Sequence, residues 1–250
     1  MSASPHYSRL LQITLLVCSV WSSSAKAFPS DPLTGRWESS EFQGIKYAVY
    51  GGQDLAMGQR KYPLVLTLHG RSDETRNGQQ VTDWMRTFAK EDNYRVRPCI
   101  IVAPMAVQPG AQEGRGWDEP DMPRVIKLLK HLIQELPVDP KRVYIVGHSM
   151  GAFGACHIMG SYPQLFAAGI AVAGVSGPAD AADLRGKPFW LFHAADDTAA
   201  PIDESRRFAG RLKGSTAFRF TEFASGGHGV VARVFEDRHT HEWLFEQHLR

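Results

Sequence analysis

Short apolar runs rich in β-branched residues alternate with segments of helical spacing along most of the chain. Most of the apolar runs are continuous, which is typical of strands that are covered on both faces. The predicted strands are residues 47–50, 64–68, 100–103, 143–146, 169–173 and 189–193, and the predicted helices are residues 81–90, 124–136, 152–160, 204–213 and 241–249. This alternation predicts an α/β fold with a mainly parallel central sheet and helices on both faces. In such folds functional sites collect at the carboxyl ends of the strands.

The first 27 residues differ from the rest of the chain. An apolar run at residues 10–21 follows a basic residue and ends in small residues up to Ala27, a pattern that predicts a signal peptide cleaved after Ala27. The run is well short of the roughly 20 residues that span a bilayer, so an uncleaved anchor is the weaker alternative. Lipoprotein processing at Cys18 is a further alternative, disfavoured by Val17 before it. We therefore expect a secreted or periplasmic protein whose mature domain is residues 28–250.

Composition bounds the kind of protein. The chain has 250 residues, 43% of them hydrophobic and 22% charged, with a formal net charge of +2. These values are those of an ordinary soluble domain, and without a basic stripe they argue against a nucleic-acid partner. Signal cleavage leaves Cys99 and Cys156 in a compartment where disulfides persist. Two separate buried thiols are the favoured interpretation, and a disulfide is the alternative.

A serine stands between the predicted strand at 143–146 and the predicted helix at 152–160. The segment Gly147-His148-Ser149-Met150-Gly151 fits the pattern G-x-S-x-G. A tight turn from strand to helix exposes the serine hydroxyl above the sheet, and its crowded backbone requires small neighbours. The N-terminus of the following helix favours an oxyanion beside Ser149. The pattern and its context predict a nucleophile elbow.

A serine nucleophile needs a histidine base and an acid that orients the base. For this elbow the chain order is serine, acid, histidine. Asp196 and Asp197 are the first acids that directly follow a later predicted strand, and His228 lies in a glycine-rich turn beyond them. From these residues alone, either aspartate could be the acid. The histidines of the C-terminal segment are predicted to be surface residues.

Several segments together resemble the single-domain α/β-hydrolases, and especially the secreted esterases grouped with feruloyl esterases, polyhydroxyalkanoate depolymerases and predicted prolyl-oligopeptidase-like peptidases. The resemblance covers residues 45–250 through YPLVLTLHG, IIVAP, VDPKRVYIVGHSMGAFGA, YPQLFAAGIAVAG, PFWLFHAADDTAAP and TEFASGGHG. It implies an α/β-hydrolase fold without a large cap domain. It also implies that Asp197 is the acid, that His228 is the base, and that the backbone N–H groups of Met150 and Arg71 form the oxyanion hole.

Three further side chains near these motifs have competing interpretations. Trp117 follows the predicted strand at 100–103, where it would either stack on an aromatic acyl or alcohol group or pack its own loop. His69 is predicted to shape the loop at its strand end. His148 is predicted to be a packed turn residue and not a second base.

These features predict a secreted serine hydrolase that cleaves carboxylic esters through an acyl-enzyme intermediate. Its substrate would be a small or polymeric ester, and the short connection at residues 175–187 predicts an open cleft. A serine peptidase or thioesterase with the same triad is the alternative, and a non-catalytic binding protein on a hydrolase scaffold is a weaker one. Neither a metal-ligand pattern nor a phosphate-binding loop is evident in the sequence, so no cofactor and no metal is expected.

Overall fold

The computed structural model describes residues 37–51, 60–71, 81–106, 117–118 and 120–249. The predicted signal peptide lies outside these residues. None of the helices within them is both long and apolar enough to span a membrane.

One eight-stranded sheet forms the centre of the described structure, with the strand order β1-β2-β4-β3-β5-β6-β7-β8. The pairs β1–β2 and β2–β4 are antiparallel, and all pairs from β4 to β8 are parallel. The strands are β1 Glu38–Phe42, β2 Ile45–Tyr50, β3 Tyr62–Leu68, β4 Ile100–Pro104, β5 Val138–His148, β6 Ala168–Val172, β7 Phe189–Ala194 and β8 Phe218–Phe223. The predicted α/β architecture with a mainly parallel sheet is confirmed.

Helices cover the sheet and connect its parallel strands. They are α1 Asp83–Arg86, α2 Glu91–Val96, α3 Asp121–Glu135, α4 Met150–Ser161, α5 Pro178–Asp183, α6 Asp203–Arg211, α7 Val231–Glu236 and α8 Arg238–Phe245, with 3₁₀ turns at Thr87–Ala89 and Gly227–Val230. The connection between β6 and β7 contains only the short helix α5, so no cap domain is inserted there.

Two hydrophobic cores lie on opposite faces of the sheet. Side chains alternate between the faces along a strand, so Leu64 and Leu66 of β3 enter one core while Val65 enters the other. Cys156 lies in the first core and Cys99 in the second, and both are buried free thiols. The prediction of two separate thiols is therefore confirmed, because the sheet stands between them.

The sequence prediction missed the outermost strands and the shortest helices. Strand β8 has only partly buried or exposed residues, so it lacks the continuous apolar run that marks β3 and β5. Helices α5 and α7 have six residues each, too few to display a helical period. The predicted helix at 81–90 is instead α1 followed by a 3₁₀ turn, Thr87–Ala89.

The outer end of the sheet is tied to the C-terminal helix by a cation–aromatic contact. The Arg219 guanidinium of β8 lies 5.1 Å from the centroid of the Trp190 ring and 5.5 Å from that of Trp243. The two indoles are themselves in edge contact at 5.1 Å. This cluster joins β7, β8 and α8.

Candidate active site

Ser149 occupies a strained turn between β5 and α4. Its φ of 55° and ψ of −117° are unusual for a residue with a side chain. Its N–H donates to the carbonyl of Val172 at 2.9 Å, which fixes the turn against β6. A Cβ at Gly147 would lie 2.0 Å from the carbonyl oxygen of Gly151, and one at Gly151 would lie 1.9 Å from that of Leu68. The predicted elbow geometry thus requires both glycines.

The structure brings the side chains of Ser149, His228 and Asp197 into one hydrogen-bonded chain. His228 Nε2 lies 2.8 Å from Ser149 Oγ, and His228 Nδ1 lies 2.8 Å from Asp197 Oδ2. A carboxylate accepts hydrogen bonds, so Nδ1 carries the ring proton and Nε2 is free to accept the serine hydrogen. The three residues come from the ends of β5, β7 and β8, which share one edge of the sheet.

The Asp197 carboxylate is enclosed and fully hydrogen-bonded. Its side chain has no solvent exposure, and Oδ1 accepts the N–H groups of Ala199 and Ala200, each at 2.9 Å. Burial by itself raises the pKa of Asp197, but the Ala200 N–H and the His228 ring outweigh it, so the net pKa lies below the usual value for aspartate. Asp197 is therefore a carboxylate at neutral pH, as an acid that orients His228 must be.

Asp196, the neighbouring candidate, faces another way. Its carboxylate is exposed and accepts the N–H groups of Gly226 and Gly227 at 3.2 and 2.7 Å. The ring of His228 contacts Asp197, and the backbone before His228 contacts Asp196.

A second histidine also touches the Asp197 carboxylate. His193 is buried, and its Nε2 lies 2.8 Å from the carbonyl oxygen of Ala200 and 3.2 Å from Asp197 Oδ2. Its Nδ1 lies 2.7 Å from Ser205 Oγ. No role was predicted for His193 from the sequence. A polar residue inside the apolar run FWLFHA was the signal that could have identified it.

His148 packs against His228, with ring centroids 4.9 Å apart. Burial lowers its pKa to about 4, so the ring is neutral. Its Nε2 lies 2.8 Å from the carbonyl oxygen of His228 and donates to it. These contacts agree with the predicted role of a packed turn residue.

His69 fixes the end of β3 beside the elbow. Its Nε2 accepts the N–H of Ala106 at 3.1 Å, and its Nδ1 then donates to the carbonyl of Gly70 at 2.8 Å. Burial lowers the pKa of His69 to about 4, which keeps the ring neutral and suits both bonds. The predicted loop-shaping role of this side chain is confirmed.

The two predicted oxyanion donors are Met150, which follows Ser149 in the chain, and Arg71, which follows a glycine close to Ser149. Met150 is the first residue of α4, a position whose N–H has no partner within a helix. Arg71 follows Gly70, and a Cβ at Gly70 would lie only 3.2 Å from the Cβ of Ser149. The end of β3 and the start of α4 therefore meet at the serine.

Trp117 lies buried beside the end of β3. Only 1% of its surface is exposed, and its ring packs against Gly154 of α4 and edge-on to His69 at 4.9 Å. Its Nε1 donates to the carbonyl of His69 at 3.1 Å. The buried ring favours the packing interpretation of Trp117 over stacking on substrate. Trp117 packs against α4 and supports the end of β3.

No group of three or more histidine, cysteine, aspartate or glutamate side chains suited to a metal ion occurs among residues 37–51, 60–71, 81–106, 117–118 and 120–249.

Comparison with known proteins places this arrangement in a known fold. A model of the prolyl oligopeptidase family matches residues 114–180. A bifunctional acetylxylan esterase/xylanase from Neocallimastix patriciarum is 30% identical over 149 residues, which are 58% of this chain and 20% of that protein. The crystal structure of a thermostable esterase matches with a TM-score of 0.74 and 29% identity, over 86% of this chain and 63% of the other. This chain has the α/β-hydrolase fold.

This chain also matches nearly the whole length of more distant α/β-hydrolase structures. A feruloyl esterase module from Clostridium thermocellum, in complex with sinapinate, has a TM-score of 0.63 at 12% identity, over 88% of this chain and 93% of the module. An S-formylglutathione hydrolase from Agrobacterium tumefaciens has a TM-score of 0.61 at 20% identity, over 86% and 95%. The resemblance predicted from the sequence is confirmed. The chain spans a fifth of the acetylxylan esterase/xylanase and less than two thirds of the thermostable esterase.

Proposed function

We propose that this protein is a secreted serine hydrolase that cleaves carboxylic esters, with Ser149 as nucleophile, His228 as general base and acid, and Asp197 as the residue that orients His228. The observation that carries the proposal is the pair of 2.8 Å contacts that links Oγ, the imidazole and a buried carboxylate. The acetylxylan esterase/xylanase and the thermostable esterase, both matched by this chain, favour an ester as substrate.

The first half-reaction forms an acyl-enzyme. Ser149 Oγ attacks the ester carbonyl carbon while His228 Nε2 takes the hydroxyl proton. The carbonyl oxygen becomes an oxyanion, which the N–H groups of Met150 and Arg71 stabilise, at roughly 3 kcal/mol per donor. When the tetrahedral intermediate collapses, the ester C–O bond breaks and His228 gives its proton to the departing alcohol.

The second half-reaction releases the acid. Water attacks the acyl carbon while His228 Nε2 takes a proton from it, and the new tetrahedral intermediate expels Ser149 Oγ with return of that proton. Asp197 stays ionised throughout. It holds the Nδ1–H tautomer and stabilises the imidazolium that forms in each step.

Substitution of the nucleophile tests the proposal. The wild-type protein should hydrolyse short-chain nitrophenyl esters and react with a fluorophosphonate probe, and Ser149→Ala should do neither. Ser161→Ala, at an exposed serine that ends α4, is the matched control and should behave as wild type. His228→Ala should lower kcat by about 10²- to 10⁴-fold. Substantial ester hydrolysis by Ser149→Ala would overturn the proposal, and probe labelling of the wild type would exclude an inert binding protein.

A peptidase with the same site is the second candidate, favoured by the match of residues 114–180 to the prolyl oligopeptidase family. Acyl transfer to water uses the same catalytic groups for amides, esters and thioesters. Only the preferred substrate therefore distinguishes a peptidase or a thioesterase from an esterase. A comparison of nitrophenyl esters from acetate to palmitate, methyl ferulate and proline-containing anilides separates the candidates. We expect ester hydrolysis to exceed anilide hydrolysis, and the reverse order would identify a peptidase.

Export is proposed on the sequence of residues 1–27. Expression of the full chain in a secreting host should give a mature protein that begins at Phe28. N-terminal sequencing that finds Met1 retained on the exported or cellular protein would contradict cleavage after Ala27.

A further inference from the structure

The loop that carries His228 is held by its backbone as well as by its ring. We call residues 224–230 the histidine loop. Asp196 Oδ1 accepts the N–H of Gly227 at 2.7 Å, and Asp196 Oδ2 accepts the N–H of Gly226 at 3.2 Å. Gly226 and Gly227 have φ values of 134° and 56°, so two successive amides in a conformation that favours glycine point at one carboxylate.

The same loop is held on its other side by His148. The His148 ring donates from Nε2 to the carbonyl of His228 at 2.8 Å, and its centroid lies 4.9 Å from that of the His228 ring. His148 directly precedes Ser149, and Asp196 directly precedes Asp197. The residues directly before Ser149 and Asp197 thus hold the backbone of the loop that carries His228.

A backbone anchor matters because the imidazole must meet two partners at once. The ring spans Ser149 Oγ and Asp197 Oδ2 at 2.8 Å each, so a shift of the loop lengthens at least one of these bonds. Misplacement of a reacting group by about 1 Å can cost about 10²-fold in rate. The Asp197 bond alone leaves the backbone free to pivot about the ring, and the bonds from Asp196 and His148 to the backbone of the histidine loop oppose this motion.

We infer that Asp196 is a positioning residue, which holds the histidine loop through the Gly226 and Gly227 amides so that His228 reaches Ser149. This inference rests on the proposed function. Asp196 does not contact the His228 ring in the hydrogen bonds described above, and its role is to place the base and not to exchange protons with it. The N–H groups of Gly227 and Gly226 keep the pKa of Asp196 below the usual value for aspartate, so the clamp is charged at neutral pH.

Two substitutions of Asp196 and a matched control test the inference. Asp196→Ala removes both acceptors, and Asp196→Asn keeps one carbonyl oxygen. Asp203→Ala removes another exposed carboxylate, at the start of α6, whose contact is with Arg206. With a nitrophenyl ester we expect kcat to fall about ten- to a hundredfold in Asp196→Ala with KM within about twofold of wild type. Asp196→Asn should lie between, and Asp203→Ala should match wild type.

Amide hydrogen exchange gives a readout that does not depend on catalysis. Exchange of a peptide covering the histidine loop should be faster in Asp196→Ala than in the wild type, while peptides from β5 and α4 should be unchanged. Unchanged exchange in the loop, or faster exchange with wild-type kcat, would overturn the inference. The inference would also be overturned if Asp196→Asn lost as much kcat as Asp196→Ala and if the loss in both variants matched a fall in the thermal unfolding midpoint. If the wild-type protein has no hydrolase activity, the proposed function fails, and the exchange experiment still decides whether Asp196 holds the loop.

Discussion

The backbones of α4 and β3 approach each other closely at Gly151, and Gly151→Ala tests this approach. A Cβ at residue 151 would lie 1.9 Å from the carbonyl oxygen of Leu68 and 2.8 Å from that of His69. Separations under 3.0 Å are essentially never seen for real Cβ atoms, and both opposing atoms are backbone. They cannot rotate away as a side chain would. The added methyl group therefore forces α4 and the end of β3 apart by about 1 Å.

That displacement acts on the proposed oxyanion hole. Met150 moves with α4, whereas Arg71 moves with the end of β3, so the two donors separate. The loss of one such donor costs about 10² to 10³ in kcat, and overpacking of this kind costs about 1–3 kcal/mol of unfolding free energy. We expect Gly151→Ala to show both effects.

The assay measures kcat for a short-chain nitrophenyl ester together with urea unfolding. Gly177→Ala is the matched control, because residue 177 has a φ of −65° and a Cβ there would meet nothing within 4 Å. The control should retain wild-type kcat and lose at most about 1 kcal/mol of unfolding free energy, because alanine is a poorer N-cap than glycine. If Gly151→Ala kept kcat within about threefold of wild type, the contact between β3 and α4 would not set the donor geometry, and the reasoning would be refuted.

Three further predictions concern stability. Gly210→Ala, at an exposed position in α6 with nothing within 4 Å of its Cβ, should raise the free energy of unfolding by about 0.5–1 kcal/mol, and a decrease in urea unfolding would contradict this. Trp117→Ala should lower it by about 3–5 kcal/mol, because it empties a buried site between His69 and α4; a loss under about 1 kcal/mol would place the ring elsewhere. Burial lowers the pKa of His69 from 6.5 to about 4, so the unfolded chain binds the proton first as pH falls and the free energy of unfolding drops below about pH 6.5. The drop by pH 5 should be about 2 kcal/mol smaller in His69→Gln than in wild type, and equal pH dependence in the two proteins would disprove the assignment.

The central strands of the sheet were predictable because the protein interior surrounds their side chains on both faces. Strand β3 and residues 143–147 of β5 are buried on both faces, and continuous apolar runs such as LVLTL occur where no solvent face interrupts them. Strand β8 lies at the edge of the sheet with no fully buried residue, so its sequence FRFTEF has no comparable run. The sequence therefore predicts the interior of the sheet better than its margin.

The candidate site was likewise predictable from the sequence only in part. Ser149 is marked by the steric demands of its own turn, which the flanking glycines meet. The direction of a side chain in a loop depends on distant contacts, which the sequence does not display. The N–H of Asp197 bonds to the carbonyl of Ala194, and this turn aims Asp197 inward while Asp196 faces the histidine loop. Trp117 was predicted to reach the right end of the sheet, but the gap at Gly154 that accepts its ring could only be found in three dimensions.

The position of β8 at the edge of the sheet has a consequence for inactivation. Ser149 follows the interior strand β5, which has neighbours on both sides, while His228 follows β8, which pairs with β7 alone among the described strands. Edge strands fray at lower free energy than interior ones. Mild denaturant should therefore extinguish turnover while the bulk of the β-sheet still gives its native circular dichroism.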